Sequence, residues 1–397
     1  MVNVPKLRFP EFSGEWEEHE LGKYLIEFDN KVRRKDDHPI LTSSREGLFL
    51  QNKYFKQEVI SKSSALYRVL PKGYFTYRYM SDDSFFRINI NELGFDGLVS
   101  QEYPVFTTNE GLNKEFLKQH FYGSKAFIVF CTIQKRGGTR TRLYFDTLKK
   151  YKIIMPTFPE QTKIANFLTL FDNKIEKQSE KVAALEEYKK GLMKIIFSQE
   201  IRFKDDEGKD YPEWEMNKLI NLLKVRDERQ VPNREAPLMA FTSTGGVEEK
   251  GDRYNRDFLV KDKNKKYKRT EFNDLIYSSN NLDVGAIGRN KYGTAVISDV
   301  YEIFIAKENV TPNFLEVIIK QKNFLNKVLK YRQGALYGQY RIHADDFLSI
   351  EITLPALPEQ TKIANFLSLF DRKIEKEKAK LEALREQKKG LLQQMFV

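Results

Sequence analysis

From Ile164 onward the apolar residues fall in alternating steps of four and three: Ile164, Leu168, Phe171, Ile175, Val182, Leu185, Leu192 and Ile196, with Gln178 and Lys189 filling the remaining beats. A second stripe keeps the same beat: Ile363, Leu367, Phe370, Ile374, Leu381, Leu384, Leu391 and Met395, with Glu377 and Lys388 at the matching polar places. This is the period of a helix that buries one seam against another helix, so two long paired helices are predicted. Pro159 and Pro358 stand at their starts, where a missing N–H is tolerated. Polar residues in such a seam fix register at some expense of stability. Upstream of the first stripe, Lys72 to Tyr79, Gly97 to Phe106, Phe127 to Ile133 and Lys152 to Met155 read as short strands. Asn113 to Tyr122 reads as an interrupting helix, which together makes an α+β domain.

The stripes belong to a duplication. Pro159-Glu160-Gln161-Thr162-Lys163-Ile164-Ala165-Asn166-Phe167-Leu168 returns as Pro358-Glu359-Gln360-Thr361-Lys362-Ile363-Ala364-Asn365-Phe366-Leu367, 199 residues on in a chain of 397. Thr42-Ser43-Ser44 corresponds to Thr242-Ser243-Thr244, Phe116-Leu117 to Phe314-Leu315, and Arg142-Leu143 to Arg341-Ile342. Leu7-Arg8-Phe9 corresponds to Ile201-Arg202-Phe203. A period this long, present twice, is a duplicated domain and not a solenoid. The expected fold class is α+β: two tandem α+β domains, residues 1–156 and 199–355, each followed by a long helix, residues 157–198 and 356–397. The first helix delivers the chain to the second domain, so the second helix must run back to bury its seam. The pair is then an antiparallel two-helix coiled coil, roughly 57 Å long at ~1.5 Å per residue, separating the domains with internal pseudo-twofold symmetry. Between the shared anchors the copies differ heavily, which suits one kind of task performed on different targets.

Composition narrows the task. Hydrophobic residues make up 41% of the chain, too many for wholesale disorder. No apolar run approaches the roughly 18–20 residues that span a bilayer, and the opening segment lacks a signal-peptide core, so no membrane association and a cytoplasmic location are expected. Cys131 is the single cysteine, which fits a reducing compartment. A net charge of +11 points toward a polyanion. No phosphate-binding GxxxxGK[ST] loop, no GxGxxG after a strand and no Pro-Pro pair occur. His19, His38, His120 and His343 have no metal spacing, and Asp205-Asp206-Glu207-Gly208-Lys209 reads as a polar turn, so no catalytic constellation is expected.

Taken together, the chain resembles the specificity subunit of a Type I restriction–modification enzyme. The resemblance spans nearly the full length. Its most specific motif is the proline-rich lead-in to each long helix, Ile153-Ile154-Met155-Pro156-Thr157-Phe158-Pro159-Glu160-Gln161 and Ile352-Thr353-Leu354-Pro355-Ala356-Leu357-Pro358-Glu359-Gln360. It implies that the two domains are target-recognition domains, each reading one half of an asymmetric bipartite site in double-stranded DNA. The helices would set the unread gap and dock two methyltransferase (modification) subunits. S-adenosylmethionine would sit on those partners, and ATP and Mg would serve the restriction/translocase subunits; this chain would carry no cofactor and do no chemistry. An adaptor rod holding two protein-binding domains also explains the duplication, but not the basic charge. A self-contained methyltransferase or nuclease is disfavoured by the missing motifs.

Candidate DNA contacts follow from residue chemistry, since arginine suits guanine O6/N7 and glutamine suits adenine N6/N7. In the first domain the basic loop Lys135 to Arg142 offers Arg136, Thr139, Arg140 and Arg142. Its counterpart in the second offers Arg332, Gln333, Tyr337, Gln339 and Arg341. The loops after Thr42 and Thr242 add Lys53 and Tyr54, and Arg253 and Tyr254. Tyr77 and Arg78 lie in an aromatic and basic run, half of which strand alternation should turn inward. Lys261 to Arg269, including Lys265 and Lys266, reads as a solvated basic loop near phosphate.

Overall fold

The proline-led stripes form two unbroken helices, Phe158–Phe197 and Leu357–Met395. The computed structural model describes residues 3–33, 38–55, 66–135, 139–242, 246–249, 264–279, 282, 286–331, 333–336 and 339–397, with the backbone alone for 333–336, 339 and 340. Every position of both stripes is buried or half-buried. The chain divides into two units, residues 1–183 with 376–397, and residues 184–375. Each unit therefore holds the start of one long helix and the end of the other.

In the first unit an antiparallel four-stranded sheet runs Leu25–Glu27, Val105–Thr108, Phe75–Tyr77, Ile88–Ile90. A three-stranded sheet runs Gly97–Ser100, Leu66–Leu70, Lys31–Arg33. The second unit repeats both: Leu223–Val225, Tyr301–Ala306, Leu275–Ser278, Ile287–Arg289, and Arg229–Gln230, Tyr267–Thr270, Ala295–Ile297. The strand leading into each long helix pairs with an early strand of its own unit, Glu17 opposite Met155 and Glu215 opposite Leu354. The first core gathers Trp16, Phe75, Phe106, Phe116 and Phe121 around Ile164 and Leu168, and is completed by Leu392, Met395 and Phe396. The second gathers Tyr277, Phe304, Phe314 and Phe347 around Ile363 and Leu367, with Ile196.

The repeated Pro-Glu-Gln motif locks these parts together. Glu160, all but inaccessible, accepts from Arg8 Nε at 2.8 Å and Nη2 at 2.7 Å, and from Trp16 Nε1 at 3.4 Å. Glu359 accepts from Arg202 Nη2 at 2.9 Å. Gln161 Oε1 accepts the Asn113 N–H at 2.9 Å while its Nε2 donates to Pro156 O at 2.9 Å. Gln360 does the same with Thr311 N–H and Pro355 O, each at 2.9 Å. Asn113 and Thr311 are the N-caps of the domain helices Lys114–Gly123 and Pro312–Ile319. One glutamine thus fixes the domain helix to the start of the long helix, and one glutamate recruits the opening segment.

Within each unit the long helices run antiparallel. In the first, Lys388 Nζ meets Asp172 Oδ1 and Gln178 Nε2 donates to the Glu377 carboxylate at 2.7 Å. Positions rise on one helix as they fall on the other. In the second, Lys189 bonds Asp371 and the Tyr188 and Phe370 rings lie 5.7 Å apart. The polar seam residues therefore pair across the seam.

Three expected elements differ. Phe127 to Ile133 lies in a helix, Lys125–Ile133, because Ser124 Oγ caps it by accepting the Phe127 N–H at 3.2 Å. Gly97 to Phe106 is two strands in different sheets, broken by a turn that returns Tyr103 N–H to Ser100 O at 2.9 Å. Lys72 to Tyr79 holds only the strand Phe75–Tyr77. No helix among the described residues is long and apolar enough to cross a membrane.

Candidate nucleic-acid interface

Three loops of the first unit meet at one edge. The hairpin Leu41–Ser43 with Leu48–Leu50 is tied to the central sheet by Asn89 Nδ2, which donates to Ser43 Oγ at 2.8 Å and Ser44 O at 3.0 Å. The short ribbon Met80–Ser81 with Thr141–Arg142 lies beyond it. Arg45 at the hairpin tip donates to Asp83 from Nη1 at 2.7 Å and from Nη2 at 2.5 Å. Arg140, just before the ribbon's second strand, donates from Nε to Asp82 Oδ1 at 3.0 Å. Ser84 takes a left-handed φ of 65° and its Oγ meets Thr141 Oγ1 at 2.6 Å, buried. Hairpin, acidic turn and basic loop form one structure.

Asp83 also accepts from Ser81 Oγ at 2.8 Å and Phe85 N–H at 3.1 Å. The Arg45 hydrogen bonds above all hold its carboxyl down at about 2, so it stays charged at neutral pH. Exposed ion pairs contribute ~0–1 kcal/mol, while a non-glycine residue in the left-handed region costs ~1–3 kcal/mol. Both arginines and both aspartates are about half or more exposed. The two exposed ion pairs therefore contribute little to stability.

Of the predicted contacts in this unit, Thr139, Arg140 and Arg142 are exposed on the loop and ribbon, and Arg78 is exposed before the ribbon's first strand. Lys53 and Tyr54 lie on the short helix Gln51–Tyr54 after the hairpin, with Tyr54 stacked on Phe49 at 5.5 Å. Arg136 lies outside the described residues. Tyr77 requires correction: it has no exposed surface, and its hydroxyl donates to Leu143 O at 3.0 Å. It is a core residue that anchors the ribbon from beneath and cannot touch DNA. Burial raises its phenol pKa well above the ordinary value. Tyr277 makes the same bond to Ile342 O at 3.1 Å. Arg45, Asp82 and Asp83 were not anticipated. Arg45 is legible as the charged tip of Ser43-Ser44-Arg45-Glu46-Gly47, but its pairing with an acid in another loop is not.

In the second unit Gln333–Leu336 and Gln339–Arg341 form a hairpin with Gln333 opposite Arg341. Ile342 N–H joins it to Ser279 O at 3.1 Å, and Arg341 is exposed. Arg332, Tyr337, Arg253 and Tyr254 lie outside the described residues. The basic run is only partly a loop. Lys268 and Arg269 belong to the strand Tyr267–Thr270, where Lys268 pairs with Glu302 at 2.9 Å and Arg269 with Glu271 at 2.5 Å. Lys265 and Lys266 are exposed, with Lys265 Nζ 5.1 Å from the Tyr267 ring centre. Among the described residues no group of three histidine, cysteine or acidic side chains could hold a metal ion.

A framework used twice, carrying unlike polar loops on a basic chain, defines a duplicated recognition protein. A family model described as the Type I restriction modification DNA specificity domain matches residues 28–187 and again 211–386. The chain belongs to that family, as a specificity subunit that recognises the DNA target within a restriction–modification complex and is not itself catalytic. It is 25% identical over 415 residues to a putative Type I restriction enzyme specificity subunit, MjaX, of Methanocaldococcus jannaschii, covering 98% of this chain and 95% of the relative. The MjaVIII specificity subunit of the same organism is 27% identical over 297 residues, 68% of this chain and 67% of the relative. The fold is similar to the crystal structure of a Type I S subunit from M. genitalium, with TM-score 0.59, 13% identity and 99% of each chain covered. A chain from a structural study of Type I complex assembly and conformational transition gives TM-score 0.51 at 14% identity, over 96% of this chain and 97% of that one.

Proposed function

We propose that each domain reads one half of an asymmetric, bipartite site in double-stranded DNA. In the first domain the reading edge is the hairpin tip, the acidic turn and the ribbon, with Arg140, Arg142 and Thr139 facing the bases or sugars. Lys53, Tyr54 and Arg78 flank it. In the second domain the corresponding role falls to the hairpin whose strands carry Gln333, Gln339 and Arg341 in sequence, with Lys265 and Lys266 toward phosphate. The observation that carries this reading is the same anchor in both units, the Tyr77 hydroxyl on Leu143 O in one and the Tyr277 hydroxyl on Ile342 O in the other, beneath strands that pair differently: Thr141–Arg142 with Met80–Ser81, but Gln339–Arg341 with Gln333–Leu336. Phosphate contacts set register and base edges select sequence.

The long helices set the unread gap and receive two modification subunits, which carry S-adenosylmethionine; restriction subunits bring ATP and Mg. Gly191 and Gly390, at equivalent helix positions, have open space where a side chain would stand, which supports close approach by another chain. Gly191 borders a groove of about 1040 Å³ lined by Met193, Phe197, Trp214 and Phe324. A cytoplasmic setting follows from this role.

Co-expression with the modification subunit and methylation mapping on genomic DNA tests the reading. The expected result is a single motif of two short specified blocks around a fixed gap. Methylation at a continuous site would break the link between two domains and two half-sites.

A further inference from the structure

We propose that Asp82 is a positioning residue for Arg140, and that Arg140, so held, reads one guanine in the half-site of the first domain. The inference rests on the proposal that this domain reads one block of the target. Asp82 Oδ1 takes the Nε–H of Arg140 at 3.0 Å, and among the described residues both terminal nitrogens of Arg140 are without a partner. A guanidinium gripped at Nε keeps its terminal pair for a bidentate bond to guanine O6 and N7.

Arg45 is the opposite case. Both of its terminal nitrogens are engaged by Asp83, and Nη2 also reaches Ser81 Oγ at 3.3 Å. Its fork is spent inside the protein, so it serves as a strut. Asp83, fixed by Arg45, Ser81 and the Phe85 N–H, fixes in turn the loop that carries Asp82. The buried bond between Ser84 and Thr141 ties that loop to the residue beside Arg140. Acid and arginine are therefore anchored to each other from both sides.

The placement of Asp82 argues for selectivity over affinity. A carboxylate facing phosphates weakens the sequence-independent attraction that basic proteins gain from DNA. Beside a guanine reader the same carboxylate keeps the arginine off the phosphates and aims its fork.

The test uses the complex with its modification subunits and selection from randomised target DNA, followed by binding to matched and unrelated duplexes. Arg140→Ala and Arg140→Lys should each lose preference for guanine at one position of one block, by roughly 5- to 150-fold, with the other positions intact. Asp82→Asn should relax that same position by about 3- to 10-fold while binding to unrelated DNA holds or rises, because a negative charge is gone. Unchanged preference in Asp82→Asn at the position that Arg140→Ala relaxes would overturn the positioning role. Uniform weakening by Arg140→Ala, with the salt slope shallower by about one, would make Arg140 a phosphate contact and overturn the inference. A selection in which neither arginine variant alters binding or any position of either block would remove the underlying reading as well.

Discussion

At the scale of single residues, His120 has the clearest measurable consequence. It is buried in the first core, its Nε2 lies 2.9 Å from the Tyr151 hydroxyl, and its Nδ1 has no partner among the described residues. Burial lowers its pKa to about 3. An unfolded histidine titrates near ~6.5. Between those values the unfolded chain takes up a proton that the folded chain does not, so stability falls as pH drops through that window. The loss runs at up to ~1.4 kcal/mol per pH unit. Replacing the ring with an amide that cannot titrate, His120→Asn, should lower stability at pH 7 yet flatten its decline between pH 6 and 4. Urea unfolding at three pH values measures the two slopes. Parallel curves for the two proteins would mean that His120 is already protonated in the folded state. Tyr77 is the neighbouring lesson, since an aromatic beside Arg78 suits a nucleic-acid surface in composition but lies wholly within the core.

At the scale of elements, the seam carries ion pairs at equivalent places, Lys388 with Asp172 and Lys189 with Asp371. Lys388 is the more enclosed of the two lysines, and burial lowers its pKa even with Asp172 beside it. Asp172 also accepts from Gln119 Nε2 at 2.7 Å. Asp172→Ala strands both donors and should cost about 2 kcal/mol, within the range for hydrogen bonds to charged groups. Lys388→Met should cost less, because it removes the enclosed charge instead of isolating it. A double-mutant cycle by denaturation should give a coupling of at least ~0.5 kcal/mol, and additive losses would show that the pair is incidental. The seam was legible in the sequence because its period extends over many turns and repeats in a second copy. The helix Lys125–Ile133 was not, because a short continuous apolar run has no period to choose between strand and helix. The pairing of Arg45 with Asp83 was illegible for another reason: 38 residues separate them, and only the sheet brings their loops together. The Pro-Glu-Gln motif was visible as a repeat, but its role required the partners Arg8 and Asn113 to be placed in space.

At the scale of the whole molecule, the first unit is discontinuous: residues 376–397 belong with residues 1–183. Leu392, Met395 and Phe396 are buried in the first core, and Leu7 N–H donates to Gln394 O at 2.9 Å. Gly123 is needed there, since a Cβ at that position would lie 2.8 Å from the Leu392 Cβ. Fully burying a large apolar side chain contributes ~1.5–3 kcal/mol, so three such residues stand for about 5 kcal/mol or more against a usual total of ~5–15 kcal/mol. Deleting residues 391–397 should therefore loosen the first unit and leave the second intact. Hydrogen exchange resolved by peptide reads this directly: amides of Val105–Thr108 and Phe75–Tyr77 should lose protection, while those of Tyr301–Ala306 and Leu275–Ser278 keep it. Equal protection in both proteins would show that the first domain closes its core without that segment. The expected result also changes how partner docking is to be tested. Removing all of residues 358–397 would strip Ile363 and Leu367 from the second core as well, so lost partner binding could reflect two damaged domains. Surface substitutions on intact helices, such as Leu170→Glu and Leu369→Glu at equivalent exposed positions, separate a docking defect from a folding one.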